Sequence, residues 1–336
     1  MYGDNAQGKT NILEAIYLSG TTKSHKGSRD RDIIQFGEEE SHIRLYLEKH
    51  DVKHKIDVHL RKNKNKGIAI DGLSIKKSGE LFGLLHLIFF SPEDLSIIKD
   101  GPAQRRRFMN LELCQLNKIY HHNYVNYNKA LNQRNMLLKQ IAFNQGLKDT
   151  LDLWDAYLVQ YGSTIIEERQ HFINQLNEIV KPIHSHITGG SESIEIGYSK
   201  DVSIEDYDNS MKRKRELDLK YQSTQTGPHR DDMCFYVNGI DVRTFGSQGQ
   251  QRTAALSLKL AEIELVKKMI HDTPVLLLDD VMSELDTGRR HQLLEFIKKE
   301  KIQTIITATD KAYFDSEDSG IFYNVEAGNV ILEDRK

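Results

Sequence analysis

Residues 3 to 10 read Gly-Asp-Asn-Ala-Gln-Gly-Lys-Thr, the pattern G-x-x-x-x-G-K-[ST]. Such a loop works only between a buried strand and a helix, because the strand holds the turn and the helix start aims unpaired N–H groups at an anion. The helix is legible at once: Ile12, Leu13, Ile16 and Tyr17 recur at helical spacing. The strand is not. Only Met1 and Tyr2 precede the loop, so the first strand or strands before it are expected to be missing, through a misplaced start or a truncation.

A second feature stands far downstream. Val275-Leu276-Leu277-Leu278-Asp279-Asp280 is a short buried-strand run that ends in two carboxylates, the arrangement that puts an Asp on a nucleotide-bound Mg2+. Two consecutive acids after four aliphatics cost solvation energy unless a cation or an open site receives them. Between the two motifs lies Phe245-Gly246-Ser247-Gln248-Gly249-Gln250-Gln251-Arg252, ahead of a helix whose apolar face runs Ala254, Leu258, Ala261, Leu265, Met269. A Ser and a Gly at a helix start offer a hydroxyl and unhindered N–H groups to an anion, although a plain N-cap would also explain Ser247.

The remaining segments divide by period. From about 41 to 75 the apolar positions alternate (Ile43, Leu45, Leu47; Ile56, Val58, Leu60; Ile68, Ile70) up to an Asp71-Gly72 turn, which predicts an antiparallel meander. Asn238-Gly239 marks a second hairpin turn between Phe235, Val237 and Ile240, Val242. In the middle, Tyr120, Tyr124, Tyr127, Leu131 and Leu138 form one helical series, and after Asn144-Gln145-Gly146 a second runs Trp154, Leu158, Tyr161, Ile165, Phe172, Leu176, Ile179. Two long helices should fold back on each other; at about 27 residues each would reach roughly 40 Å, so they are expected to project as an arm. The expected division is 1–104 for the first part of an α/β domain, 105–222 for the arm and 223–336 for the rest of that domain.

Net charge, −3 over 336 residues, supplies no global attraction for nucleic acid, so any anionic partner must be held by local basic clusters. Three exist: Arg61-Lys62-Asn63-Lys64-Asn65-Lys66, Arg105-Arg106-Arg107 and Lys212-Arg213-Lys214-Arg215. They suit phosphate contact without base reading. The two cysteines, Cys114 and Cys234, have no metal-ligand spacing and point to a reducing, cytoplasmic setting. The longest apolar run, residues 81–90, is too short for a bilayer.

Taken in order, "GDNAQGKTNILEAIY", "FFSPEDLSIIKDGPAQRRRFMN", "TGPHRDD", "FGSQGQQRTAALSLKLAEIEL" and "LLLDDVMSELD" resemble the ABC-type ATPases of the SMC branch, and within them the RecF family of bacterial recombination mediators. The resemblance implies an α/β ABC-type P-loop ATPase head, with a mixed sheet, an antiparallel β meander and an inserted helical-hairpin arm. It implies that ATP is held by Gly3, Asp4, Asn5, Ala6, Gln7, Gly8, Lys9 and Thr10, with Lys9 on the β- and γ-phosphates. Thr10 and Asp279 would take Mg2+, and Asp280 would orient or deprotonate the attacking water. Ser247, Gly249, Gln250 and Asp286 would complete the site of a second copy, so that ATP drives homodimerisation. Asp280 is one methylene shorter than the Glu of most relatives outside this family, which implies a weak, DNA-stimulated ATPase used as a switch. Thr307 or Thr309 stands where transporter ATPases place a His.

The same resemblance implies DNA as a partner (single-stranded, gapped, or at single-strand/double-strand junctions), with Arg105, Arg106, Arg107, Arg61, Lys62 and Lys64 as its contacts. It further implies RecR and RecO as partners and RecA indirectly, in repair, replication restart and the SOS response, with no membrane. The competing expectations are an SMC-like clamp with negligible hydrolysis and an inactive truncated fragment.

Overall fold

The computed structural model describes residues 1–76, 80–81, 83–314 and 320–333; Phe82 of the apolar run lies outside these. Contacts group the chain into two compact units, residues 1–94 with 266–336 and residues 95–265. These limits differ from the expected 104/105 and 222/223. The helix Pro102–Leu116 packs on the long helices of the middle segment, and Ser257 of the signature helix is bonded to His184 of the second long helix at 2.9 Å. Both flanking segments therefore fold with the hairpin.

In the first unit, strands β1 (Glu40–Lys49), β2 (Val52–Arg61), β3 (Lys64–Ile70) and β4 (Leu73–Ser74) form the expected antiparallel meander. Asp71 and Gly72, at φ 52° and 84°, make the tight β3–β4 turn. Alternation is real: Ile56, Val58 and Leu60 are fully buried and pack with Leu18 and Leu81, while Ile43, Leu45, Leu47, Ile68 and Ile70 close over them. A second, parallel sheet has the order β10-β9-β5, with β5 (Leu87–Phe90), β9 (Val275–Asp279) and β10 (Thr304–Thr307). Strands β5 and β9 read as apolar runs and are buried almost throughout, while the edge strand β10 is mostly half-buried. A hairpin of β11 (Tyr323–Glu326) and β12 (Asn329–Leu332) completes the unit. Residues 1 and 2 run extended beside β10 and β11: Met1 O accepts from Ala308 N at 3.0 Å, and Tyr2 O from Val325 N at 2.8 Å.

The second unit contains the two predicted long helices, Lys118–Ile141 and Leu151–Ile187. Asn117 caps the first, accepting from the N–H groups of Ile119 and Tyr120. At 37 residues the second is about 55 Å long. Strands β6 (Ile194–Ser199), β7 (Asp232–Val237) and β8 (Ile240–Asp241) form an antiparallel sheet against it, with Asn238-Gly239 as the β7–β8 turn at φ 52° and 79°. The helix Gln248–Ile270 was expected to bury one face. Instead Thr253 through Ile263 are all buried, with Lys259 and Glu262 paired at 2.7 Å inside. A helix enclosed on all sides is held by its surroundings more than by an amphipathic stripe.

Candidate nucleotide-binding site

The glycine-rich loop ends at Gly8, whose φ of 101° only glycine adopts without strain, and the helix Lys9–Thr21 begins on the next residue. Ala6 is also left-handed, at φ 62°. Successive N–H groups in such a turn form a concave cradle for an anion. Lys9 is 7% exposed, and its ammonium curls across the loop to the carbonyls of Gly3 at 2.6 Å and Asp4 at 2.7 Å. Thr10 lies one residue into the helix, and its hydroxyl donates to Asp279 Oδ1 at 3.0 Å. Residues separated by 269 positions in the chain thus meet where the helix start faces the end of β9.

Asp279 ends the central strand and is 7% exposed. The same Oδ1 accepts a second hydroxyl, that of Thr307 at 2.7 Å, because Thr307 is the register partner of Asp279 on β10. Thr307 also accepts from the Asp280 N–H at 3.1 Å. This resolves the choice between Thr307 and Thr309 in favour of Thr307 as the residue touching the paired acids. Sequence left the two equal because only strand register decides which threonine faces β9.

Asp280 sits at φ 52°, a left-handed conformation that turns its carboxyl away from the strand. Its Oδ1 is buried and has no hydrogen-bond partner. Burial pushes the carboxyl above the usual carboxylate range, Asp279 and Glu284 add to this, and a hydrogen bond from Ser283 and the Lys9 charge oppose it. A buried orphan oxygen beside a phosphate cradle is the state of a base whose partner is a ligand or its water. Hydroxyl and carboxylate oxygens from Thr10 and Asp279 are the donors a hard divalent cation takes, so the residues present fit Mg2+ and a nucleotide. Among the described residues no cluster of three or more His, Cys, Asp or Glu offers another metal site.

One contact was not foreseen. Gln7 in the loop accepts the Ala327 N–H on its side chain at 2.6 Å and the Gly328 N–H on its carbonyl at 3.1 Å. The turn of the β11–β12 hairpin therefore braces the phosphate loop. No pattern near residue 7 signals this, because the partner is 320 residues away.

Ser247 and Gln250 cap the signature helix reciprocally: the Ser247 hydroxyl accepts from Gln250 N at 3.2 Å, and Gln250 Oε1 accepts from Ser247 N at 3.0 Å. This is a capping box. Gln250 also donates to Glu192 at 3.0 Å. Gly249 beside them is half-buried. Asp286 is exposed and caps the helix Thr287–Lys299 by accepting from Arg289 N at 3.0 Å; this N–H, with the Arg289 guanidinium, holds its carboxyl below the usual range.

The basic clusters need correction. Arg105 is 2% exposed, in a fork with Asp232 at 2.6 and 3.0 Å and bonded to the carbonyls of Ile97 and Asp100. It is structural, because a charge desolvated this far must be paired. Arg106 is half-buried, and Arg107 is exposed. Lys66 is held by Asp30 at 2.8 Å and Lys62 reaches Glu39 at 3.4 Å, while Lys64 is exposed and Arg61 half-buried. In the last cluster Lys212 pairs with Asp208, Arg213 with Asp206, and Arg215 with Asp152 and Asp155. A run of charges in sequence became a set of ion pairs once folded.

A phosphate-cradling loop, a parallel sheet whose central strand ends in paired acids, and a capped Ser-x-Gly-Gln helix define an ABC-type P-loop ATPase head. Residues 1–329 match the family described as RecF/RecN/SMC N terminal domain. The chain belongs to the RecF family: it is 57% identical to the DNA replication and repair protein RecF of Lachnospira eligens over 337 residues, 99% of this chain and 92% of that protein. Identity to the protein of the same name from Clostridium botulinum is 46% over 98% of this chain and 91% of that one. Its fold is similar to a solved structure of the recombination mediator protein RecF with ATP from the RecFOR pathway, with TM-score 0.90 and 36% identity, over 99% of this chain and 90% of that one. An Smc head domain from Pyrococcus furiosus shares the fold at TM-score 0.54 and 14% identity. No described helix is long and apolar enough to cross a membrane.

Proposed function

We propose that this protein is an ATP-dependent DNA-binding protein of replication and recombinational repair, in which ATP joins two copies and hydrolysis releases them. The observation that carries the reading is the convergence of Thr10 and Thr307 on Asp279, beside the Asp280 carboxyl whose buried Oδ1 has no hydrogen-bond partner. Relatives named for DNA replication and repair, and the solved RecF–ATP structure from the RecFOR pathway, support it.

In this reading the loop N–H groups and Lys9 bind the nucleotide phosphates, and Lys9 exchanges its two backbone carbonyl partners for them. Thr10 and Asp279 hold Mg2+, which when bound neutralises charge developing on the phosphates. Asp280 orients the attacking water and takes its proton, a role that a carboxyl whose basicity is raised by burial suits. Its short side chain makes turnover slow. Ser247, Gly249, Gln250 and Asp286 serve the nucleotide of the partner copy, which links binding of ATP to pairing. DNA at gaps or single-strand/double-strand junctions, with RecO and RecR as co-workers in loading RecA, completes the reading.

Light scattering tests it. Lys9→Ala should stay monomeric with ATP and Mg2+, whereas Asp280→Asn should bind ATP, lose turnover and remain a dimer. An Asp280→Asn protein that is monomeric with ATP overturns the pairing role, and one that keeps full turnover overturns the base.

A further inference from the structure

The second unit holds a cavity of about 100 Å3 whose wall includes Arg106, Asn110, Tyr124, Asn128, Arg169 and His229. That volume equals roughly three waters, room for a small oxyanion. The positive charge of its wall is not balanced. Arg169 is consumed by the protein, with bonds to Asp231 at 2.9 Å, the Pro228 carbonyl at 2.6 Å, Asn110 at 2.7 Å and the Tyr120 hydroxyl at 3.2 Å. Asp231 and Asp232 are in turn engaged by Arg169 and Arg105. His229 is neutral, with Nε2 on the Thr224 carbonyl at 3.0 Å and Nδ1 on the Tyr127 hydroxyl at 2.6 Å.

Arg106 is the exception. Among the described residues its one acceptor is the Asp231 carbonyl, at 2.7 Å from Nη1, and a guanidinium carries five N–H donors. Burial and the neighbouring Arg169 charge lower its pKa, and Asp232 and Asp231, already engaged by Arg105 and Arg169, only partly offset this. From another wall the Tyr124 hydroxyl accepts from Asn110 at 3.2 Å, which leaves its own proton to donate. Donors on two walls suit a tetrahedral oxyanion, whose oxygens point several ways, better than a planar carboxylate, which a single guanidinium fork satisfies.

We infer that this cavity binds one phosphate group, held by the Arg106 guanidinium and the Tyr124 hydroxyl. The group comes either from free phosphate or a nucleotide, or from a nucleic-acid backbone. The site stands whether or not the chain binds ATP, since all its residues belong to the helical unit.

The test uses the full chain in a Lys9→Ala background, where the glycine-rich loop no longer competes for phosphate. Inorganic phosphate is titrated calorimetrically into this protein and into the same protein carrying Arg106→Gln or Tyr124→Phe. Losing a charged donor should weaken binding about tenfold or more, and losing the neutral hydroxyl about fivefold. Tyr124→Phe keeps the ring in place, so it decides the question if Arg106→Gln fails to fold. A single-stranded oligonucleotide provides the second arm. If Arg106→Gln weakens its binding too and phosphate competes with it, the backbone is the source; if only phosphate binding falls, the source is a free phosphate or a nucleotide. No phosphate binding in the Lys9→Ala protein, or equal affinity in all three, overturns the inference.

Discussion

Arg134 has no exposed surface, yet it is the centre of a charged network: Nε meets Asp155 at 2.5 Å, and Nη1 meets Asp218 at 2.7 Å and Thr224 at 2.9 Å. Nothing around residue 134 announces this, since an arginine among Asn and Gln in a helix reads as surface. Removing it leaves the buried Asp218 carboxylate without its cation and leaves Asp155 to Arg215 alone, so Arg134→Met should cost about 3–5 kcal/mol, measured as a lower urea midpoint. His229 gives a prediction with a pH sign. Burial lowers its pKa from 6.5 to about 4, so between those values the unfolded chain takes up a proton that the folded chain refuses. Stability contributed by neutral His229 is full above about 6.5 and is lost as the pH falls toward about 4, by roughly 3 kcal/mol in all. Unfolding of His229→Asn at pH 7 and pH 5 should show a smaller acid loss than the parent; equal losses would assign the acid limb to other groups.

Gly162 lies inside the helix Leu151–Ile187, where propensity alone favours Ala by about 1 kcal/mol. Packing decides otherwise. A Cβ there would stand 2.6 Å from Tyr207 Cε1 and 3.1 Å from Tyr127 Cε2, and neither ring is the loose end of a flexible chain. Overpacking of this kind costs about 1–3 kcal/mol, so Gly162→Ala should lower the melting temperature despite the better helix former. The hairpin elements were readable from their periods because each helix buries a continuous stripe, Leu158, Ile165, Phe172 and Leu176 among it. The signature helix was only half readable: one apolar face was apparent, while Ser257, Lys259 and Glu262 are buried by neighbours that local pattern cannot name.

For the whole molecule, a net charge of −3 and clusters largely neutralised by acids leave few cations for DNA in one copy. Pairing two copies doubles the number that one duplex meets. With ATP, log affinity plotted against log salt should therefore fall more steeply than without it, by about 0.9 for each added phosphate contact. Replacing Arg107, Lys62 and Lys64 by Ala should flatten the ATP-dependent slope almost equally for unrelated DNA sequences. Coincident slopes with and without ATP would refute the sharing of one duplex by two paired copies.

Sequence alone determined the site's chemistry: the loop at 3–10, the acids at 279 and 280 and the capped helix at 247–250 are contiguous signatures, and each carries its local geometry in its own residue types. It also determined the element types, since alternation and helical spacing are properties of neighbours in the chain. Tertiary structure decided what depends on partners far apart in sequence. Register between β9 and β10 selected Thr307, the β11–β12 turn found Gln7, and burial placed Arg105, an expected DNA contact, in a structural ion pair. The physical reason is common to all of these: a side chain's charge is written in the sequence, but its solvation and its partner are set only by what the fold brings against it.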